Sequence, residues 1–256
     1  MNSVARKMRV ERTGIFGGCC MHLSIWLTCL ACLAHEVPAA PSPAALKAAA
    51  DYNASHRGQA LVVLHDGQVI YERYDHGGAP DRLQMLASGS KSFIGVAAVA
   101  AVQDGILRLD DPACEAITEC KGDPNKAKIT YRHLLTMTSG LQPGERGKAN
   151  QIPSWKEIIA RPTTGKPGEQ FQYGPYHLLA FAYALERKLG KESLEAYLQR
   201  RIFEPLDIKV EWRIRCADGH PQVGGGAFPT ARDWTRFGEF IRQQGRSGEN
   251  SLSKPS

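Results

Sequence analysis

Residues 92–103, Ser-Phe-Ile-Gly-Val-Ala-Ala-Val-Ala-Ala-Val-Gln, constrain the fold of this chain more than any other segment. At helical spacing they leave no polar face, and a helix that is apolar all round is normally a buried one. Other elements must therefore wrap around it, and Gly105 supplies a stop just beyond its end. A chain of 256 residues, 43% hydrophobic and 23% charged, can build the core this needs, as one large domain or two small ones. The same composition excludes a collagen-like, a coiled-coil or a wholly disordered chain. The formal net charge is +6 without a long Lys/Arg run, so electrostatics gives no reason to propose nucleic acid as a partner.

The first forty residues read as an address. Arg6, Lys7, Arg9 and Arg12 precede a stretch from Thr13 to Ala34 free of Asp, Glu, Lys and Arg, centred on Leu23, Ile25, Trp26, Leu27, Leu30 and Leu33. Val37-Pro38-Ala39 then places short residues before a cut after Ala39. Basic, apolar, then small is the order of a signal peptide, residues 1–39, and the expectation is export to the periplasm or the extracellular space. The alternative is membrane anchoring through this N-terminal segment, since the uncharged stretch is about long enough to span a bilayer. Export gives the cysteines meaning, because only Cys114, Cys120 and Cys216 lie beyond the leader. In an oxidising compartment Cys114 and Cys120 would close a short loop worth roughly 2 kcal/mol, and the other reading is three buried free thiols. The scattered histidines form no His-Glu-x-x-His pair, and no metal or organic cofactor is expected.

Ser42-Pro43 is a cap and first-turn pair opening a helix to about Ser55. Ala60–Leu64 and Val69–Tyr71 flank Asp66-Gly67, a strong hairpin signal. Helical patterns recur at Thr130–Met137, His177–Leu189, Leu194–Phe203 and Thr230–Gln244, separated by Gly- and Pro-rich loops at Gln142–Pro153 and Arg161–Gly168. Two strands alone are marginal, so the chain is short of strands for its length. Gly224-Gly225-Gly226 lacks a following phosphate-loop lysine and reads as a flexible loop.

Ser88-Gly89-Ser90-Lys91 is a Ser-x-x-Lys pattern at the start of the apolar helix. On a helix, residues three apart share a face, which puts a lysine beside the serine hydroxyl. A lysine in an apolar setting gives up its proton more readily and then serves as a general base. A helix N-terminus also favours the negative charge that develops in attack. With 14 Ser and 13 Lys in the chain, chance gives about 0.7 such matches, and a second one, Ser251 to Lys254, lies in the polar tail. Context separates them: a lysine entering a buried helix needs a reason to be there.

This segment and several stretches downstream of it resemble the serine β-lactamase-related family of class C β-lactamases, DD-peptidases and related esterases and amidases. The resemblance rests on Ser88-Gly89-Ser90-Lys91-Ser92-Phe93, on Asp104 to Pro112, and on His133-Leu134-Leu135-Thr136-Met137-Thr138-Ser139-Gly140-Leu141. Pro167 to Tyr173 is similar to the approach to the family's Tyr-x-Asn motif, and Gly224 to Asp233 to a later Gly-rich stretch. What the resemblance implies is a serine hydrolase with Ser88 as acylated nucleophile, Lys91 as its base partner and Tyr173 moving protons to the leaving group and water. The backbone N–H of Ser88 would form half of an oxyanion hole. Substrates would be small molecules or peptides with a β-lactam, D-amino-acid peptide or ester bond.

Two departures stand against it. The third position of Tyr-x-Asn is Pro175, and no Lys-x-Gly or His-x-Gly, the family's third element, occurs after Gly245. The expected fold is therefore an α/β domain of the α+β type, an antiparallel sheet flanked by helices, with its C-terminal strands missing. Residues 40–110 would carry the first part of that domain and 111–221 an inserted, mostly helical region. Residues 222–245 would return to the domain and 246–256 form an unstructured tail. The alternative function is an inactive or truncated family member kept as a binding scaffold or a non-functional fragment.

Overall fold

A computed structural model describes residues 39–144, 152–247 and 250–251; the expected leader lies almost wholly outside them. Helix α1, Pro43–Ser55, starts as its sequence dictates: the Ser42 hydroxyl accepts from Ala45 N–H and Pro43 occupies the first turn. Strands β1, Ala60–His65, and β2, Gln68–Tyr74, pair antiparallel. The two turn residues between them, Asp66 (φ 49°) and Gly67 (φ 76°), are both left-handed, as a tight hairpin with right-handed twist requires.

Helix α2, Lys91–Gln103, is the apolar helix, entered through a 3₁₀ turn at Ala87–Ser90. Phe93 stands at the centre of an aromatic cluster, edge-on to Phe203, Trp234 and Phe237 at ring distances of 5.2, 5.8 and 4.6 Å. Its burial is not complete, contrary to the pattern in the sequence. Val99 is half exposed, and with Gly95 and Val96 it lines a groove of about 520 Å³ against Phe240 and Ile241. Among the described residues nothing covers that last face of the helix.

Short helices α3, Tyr131–Leu135, and α4, Trp155–Ala160, lead to the long helix α5, Pro175–Leu189. Helix α5 is buried along Leu178, Leu179, Phe181, Ala182 and Leu185, and packs on α2, α3 and α4. Helix α6, Leu194–Leu198, runs into a π-helical turn at Gln199–Phe203. There Arg201 makes a two-pronged ion pair with Asp104 at 2.8 Å, joined by the Tyr197 hydroxyl, which ties the end of α2 to α6.

Strands β3, Val210–Trp212, and β4, Ala227–Pro229, pair antiparallel, and helix α7, Ala231–Arg242, returns across β1. The Arg232 guanidinium holds both carboxylate oxygens of Glu72, fixing α7 to the first hairpin. Residues 246–251, expected to be unstructured, include a further pair, β5 (Arg246–Ser247) with β6 (Asn250–Ser251). Gln244 and Gly245, both at positive φ, end α7 and turn the chain back toward it.

The fold is thus mixed α/β with antiparallel pairing throughout. Instead of the single flanked sheet expected, the described residues hold three separate two-stranded sheets. Cys114, Cys120 and Cys216 are free thiols. No described helix is long and apolar enough to cross a membrane, and the N-terminal apolar stretch lies outside the described residues.

Candidate active site

The site is assembled where the chain turns from an extended segment into α2. Gln84 and Leu86 donate their backbone N–H groups to the carbonyls of Pro229 and Ala227, so residues 84–86 run along the edge of β4. Ala87 then adopts φ 45°, a left-handed conformation that costs a residue with a Cβ about 1–2 kcal/mol. The reversal lifts Ser88 out of the extended segment and exposes it. The first hydrogen bond of the 3₁₀ turn runs from Gly89 N–H to the Leu86 carbonyl, so Ser88 N–H precedes it and is left for another acceptor.

Ser90, two residues on, is completely buried and holds the turn. Its hydroxyl donates to the Ala87 carbonyl at 2.7 Å and accepts from Ala227 N–H at 3.1 Å. Sequence reasoning misses this residue, because nothing distinguishes the second serine of Ser-Gly-Ser-Lys until its partner strand is known.

Lys91 opens α2 half-buried rather than deeply buried. Its ammonium donates to Ser88 Oγ at 3.0 Å and to the carbonyl oxygen of Gly224, and lies 5.2 Å from the centre of the Tyr173 ring. Tyr173 reaches the same serine from the other side, its hydroxyl donating to Ser88 Oγ at 2.8 Å. The three residues singled out by sequence therefore meet at one oxygen atom. Two donors on that oxygen favour its negatively charged form.

The Gly-rich stretch is a packed turn, not a flexible loop. The Gln222 carbonyl accepts from both Gly225 and Gly226 N–H, and a Cβ on Gly226 would fall 2.5 Å from the Ile214 oxygen. A Cβ on Gly224 would sit 2.8 Å from Pro175 Cβ, so Pro175 packs directly beneath the residue whose carbonyl holds Lys91. That contact gives the proline in the Tyr-x-Asn position a physical role: it starts α5 and supports the Gly224 turn.

The loop bearing Tyr173 is braced by the turn after α3. Gly168 N–H donates to the Thr138 carbonyl at 2.8 Å, and Gln172 N–H to the Met137 carbonyl at 3.0 Å. Behind them, buried Ser139 lies 2.8 Å from Nδ1 of His177 on α5. Burial pushes the His177 imidazole below the ordinary histidine range.

Other polar residues on these elements serve structure. His133 Nδ1 accepts from Thr130 N–H at the start of α3, Glu186 accepts from Leu194 N–H, and Asp233 pairs with Thr230 at the start of α7. Trp155 and Trp212 are buried, and Trp234 packs on Phe93 beneath Gly89. Among the described residues no group of three or more His, Cys, Asp or Glu side chains is placed to hold a metal ion.

Comparison with known proteins gives one consistent picture. A family model described as beta-lactamase matches residues 45–255. A beta-lactamase of Yersinia enterocolitica is 30% identical over 160 residues, covering 59% of this chain and 41% of that relative. Acyltransferase calJ of Penicillium decumbens is 28% identical over 235 residues, covering 73% of this chain and 56% of the relative. The chain thus spans about half the length of these curated relatives. A crystal structure of a candidate beta-lactamase from Bacteroides dorei superposes with a TM-score of 0.69 at 26% identity, covering 82% of this chain and 66% of that one.

Proposed function

Because this chain belongs to the beta-lactamase family, we propose that it is a serine hydrolase that passes the acyl group of an ester or amide through Ser88 to water. The observation that carries the reading is the convergence on Ser88 Oγ of Lys91 Nζ at 3.0 Å and the Tyr173 hydroxyl at 2.8 Å, from separate elements of the fold. In the forward step Ser88 Oγ bonds to the acyl carbon while its proton passes to the Lys91–Tyr173 pair. The N–H of Ser88 is one donor to the oxyanion that forms. Collapse breaks the bond to the leaving group, which takes a proton from the same pair. Water then attacks the acyl-enzyme, gives its proton to the pair, and frees Ser88 as the pair returns a proton to its oxygen.

The substrate class within this reading is a β-lactam, a D-amino-acid peptide or a simple ester. Export, expected from the N-terminal sequence, belongs to the same proposal and is checked by the first residue of the mature protein. The functional test is hydrolysis of a short-chain p-nitrophenyl ester and of a chromogenic cephalosporin by wild type, Ser88→Ala and Tyr173→Phe. Both activities are expected to vanish in Ser88→Ala, and Tyr173→Phe to lose roughly 10²–10⁴-fold in rate. Cephalosporin turnover assigns the β-lactam branch, and ester turnover alone the esterase branch. Turnover that survives Ser88→Ala overturns the proposal, and folded protein inert to both substrates supports the scaffold reading instead.

A further inference from the structure

We propose that His177, together with Ser139, is a positioning residue for Tyr173 and acts on it through the backbone carbonyl of Gln172. This rests on the reading of Ser88 and Tyr173 as the reacting pair. Tyr173 belongs to no helix or strand, is 40% exposed, and precedes α5 by one glycine. Its 2.8 Å contact with Ser88 Oγ therefore depends on how firmly the loop before it is held.

Gln172 is where that loop is gripped. Its N–H donates to the Met137 carbonyl at 3.0 Å, and its side-chain oxygen accepts the Thr164 hydroxyl at 2.9 Å. The third hold comes from inside the protein. Ser139 and His177 are completely buried, and Ser139 Oγ already accepts from Leu141 N–H at 3.2 Å. Its own proton is thus directed to His177 Nδ1, 2.8 Å away. A neutral imidazole that accepts at Nδ1 carries its proton on Nε2. That Nε2 is buried, makes no close hydrogen bond among the described residues, and faces the Gln172 carbonyl. A buried N–H with a single carbonyl before it draws that carbonyl in, because leaving it unpaired is costly. Ser139, His177 and Gln172 so form a chain that ends one peptide bond from Tyr173. The buried imidazole stays neutral, as this arrangement needs, since burial opposes its protonation.

The test is a double-mutant cycle with hydrogen exchange as a second readout. His177→Leu should lower kcat for ester hydrolysis roughly ten- to a hundredfold with little change in KM, as misplacement of a reacting group does. In the Tyr173→Phe background the same substitution should add almost nothing. His177→Gln, whose amide N–H reaches the place of Nε2, should recover most of the loss. Ser139→Ala, a smaller change that keeps the protein measurable if His177→Leu does not fold, should show the same dependence on Tyr173. In the exchange arm, amides of residues 168–173 should lose protection in Ser139→Ala while those of α2 keep theirs. Equal losses in both backgrounds, or exchange that rises across α2 as well, would overturn the inference. If wild type hydrolyses nothing, the hydrolase proposal falls, and the exchange arm alone decides whether Ser139 and His177 hold this loop.

Discussion

Replacing Ser90 by Ala removes one oxygen atom from a completely buried position, and the cost is set by its two partners. The Ala87 carbonyl, on an exposed residue, can turn to water, so losing its bond from Ser90 costs about 0.5–1 kcal/mol. The Ala227 N–H cannot, because Ala227 is fully buried and its N–H points to Ser90. An orphaned buried N–H costs about 1–3 kcal/mol. The sum is roughly 2–4 kcal/mol, which for a domain of this size lowers Tm by roughly 4–16 °C. The same bonds hold Ala87 in its left-handed conformation, so Ser88 should also be less well placed. The assay is paired: thermal unfolding followed by circular dichroism, and the second-order rate of Ser88 labelling by a fluorophosphonate. Labelling should slow by roughly three- to tenfold, the part of a 1.4 kcal/mol loss that reaches the site. Ser92→Ala, one turn position away and exposed, is the control and should change stability by under about 0.5 kcal/mol. A Ser90→Ala protein as stable and as fast as wild type would refute the claim that this hydroxyl holds the turn.

Three further outcomes can be read from the structure. Asp104→Ala should destabilise by about 3–5 kcal/mol in urea unfolding, because it strands Arg201, whose side chain is only 10% exposed, without its carboxylate; a loss under about 1 kcal/mol would contradict the anchoring of α2 to α6. Burial pushes the Cys120 thiol up to about 11 and Cys216 up to about 12. Because the thiolate is the reactive form, iodoacetamide at pH 8 should modify half-buried Cys114 first and reach the other two only on unfolding, as read by peptide mass. The His177 imidazole is held below its usual range by burial, so the unfolded chain takes up that proton at a higher pH than the folded one. Its contribution to stability is complete above about pH 6.5 and declines as pH falls below it, and the decline between about pH 6.5 and 5 should be shallower in His177→Gln.

How much of the fold is legible in the sequence depends on whether the signal is local. Helix α1, the first hairpin, α5 and α7 announce themselves through a cap and proline, an Asp-Gly turn or an apolar stripe, and each stands within a few residues of its expected place. Strands β3 and β4 have three residues each, too few for an alternation to be seen, and they exist because 84–86 and Ser90 line the far edge of β4. Helix α4 is too short for a helical period to single it out, yet its start is legible: Ser154 and Glu157 form a capping box in Ser-Trp-Lys-Glu. Ser88 and Lys91 are recoverable because a three-residue spacing is a statement about one helical turn. Tyr173, 85 positions from Ser88, is reached only through resemblance to a family. The Gly224 carbonyl that holds Lys91 is a backbone atom 133 residues away, and no side-chain pattern could show it. In the sequence Ser139 and His177 stand apart, one in a turn and one in a helix. Only the packing of α5 against the turn after α3 makes them partners.

The central claim, that Ser88 is a working nucleophile, is tested most directly by intact-mass measurement of the folded protein after exposure to a fluorophosphonate, beside Ser88→Ala. The account predicts one covalent adduct per chain on the wild type, located to the peptide carrying Ser88, and none on the variant. An unmodified wild type, or an adduct that persists in Ser88→Ala, would contradict it.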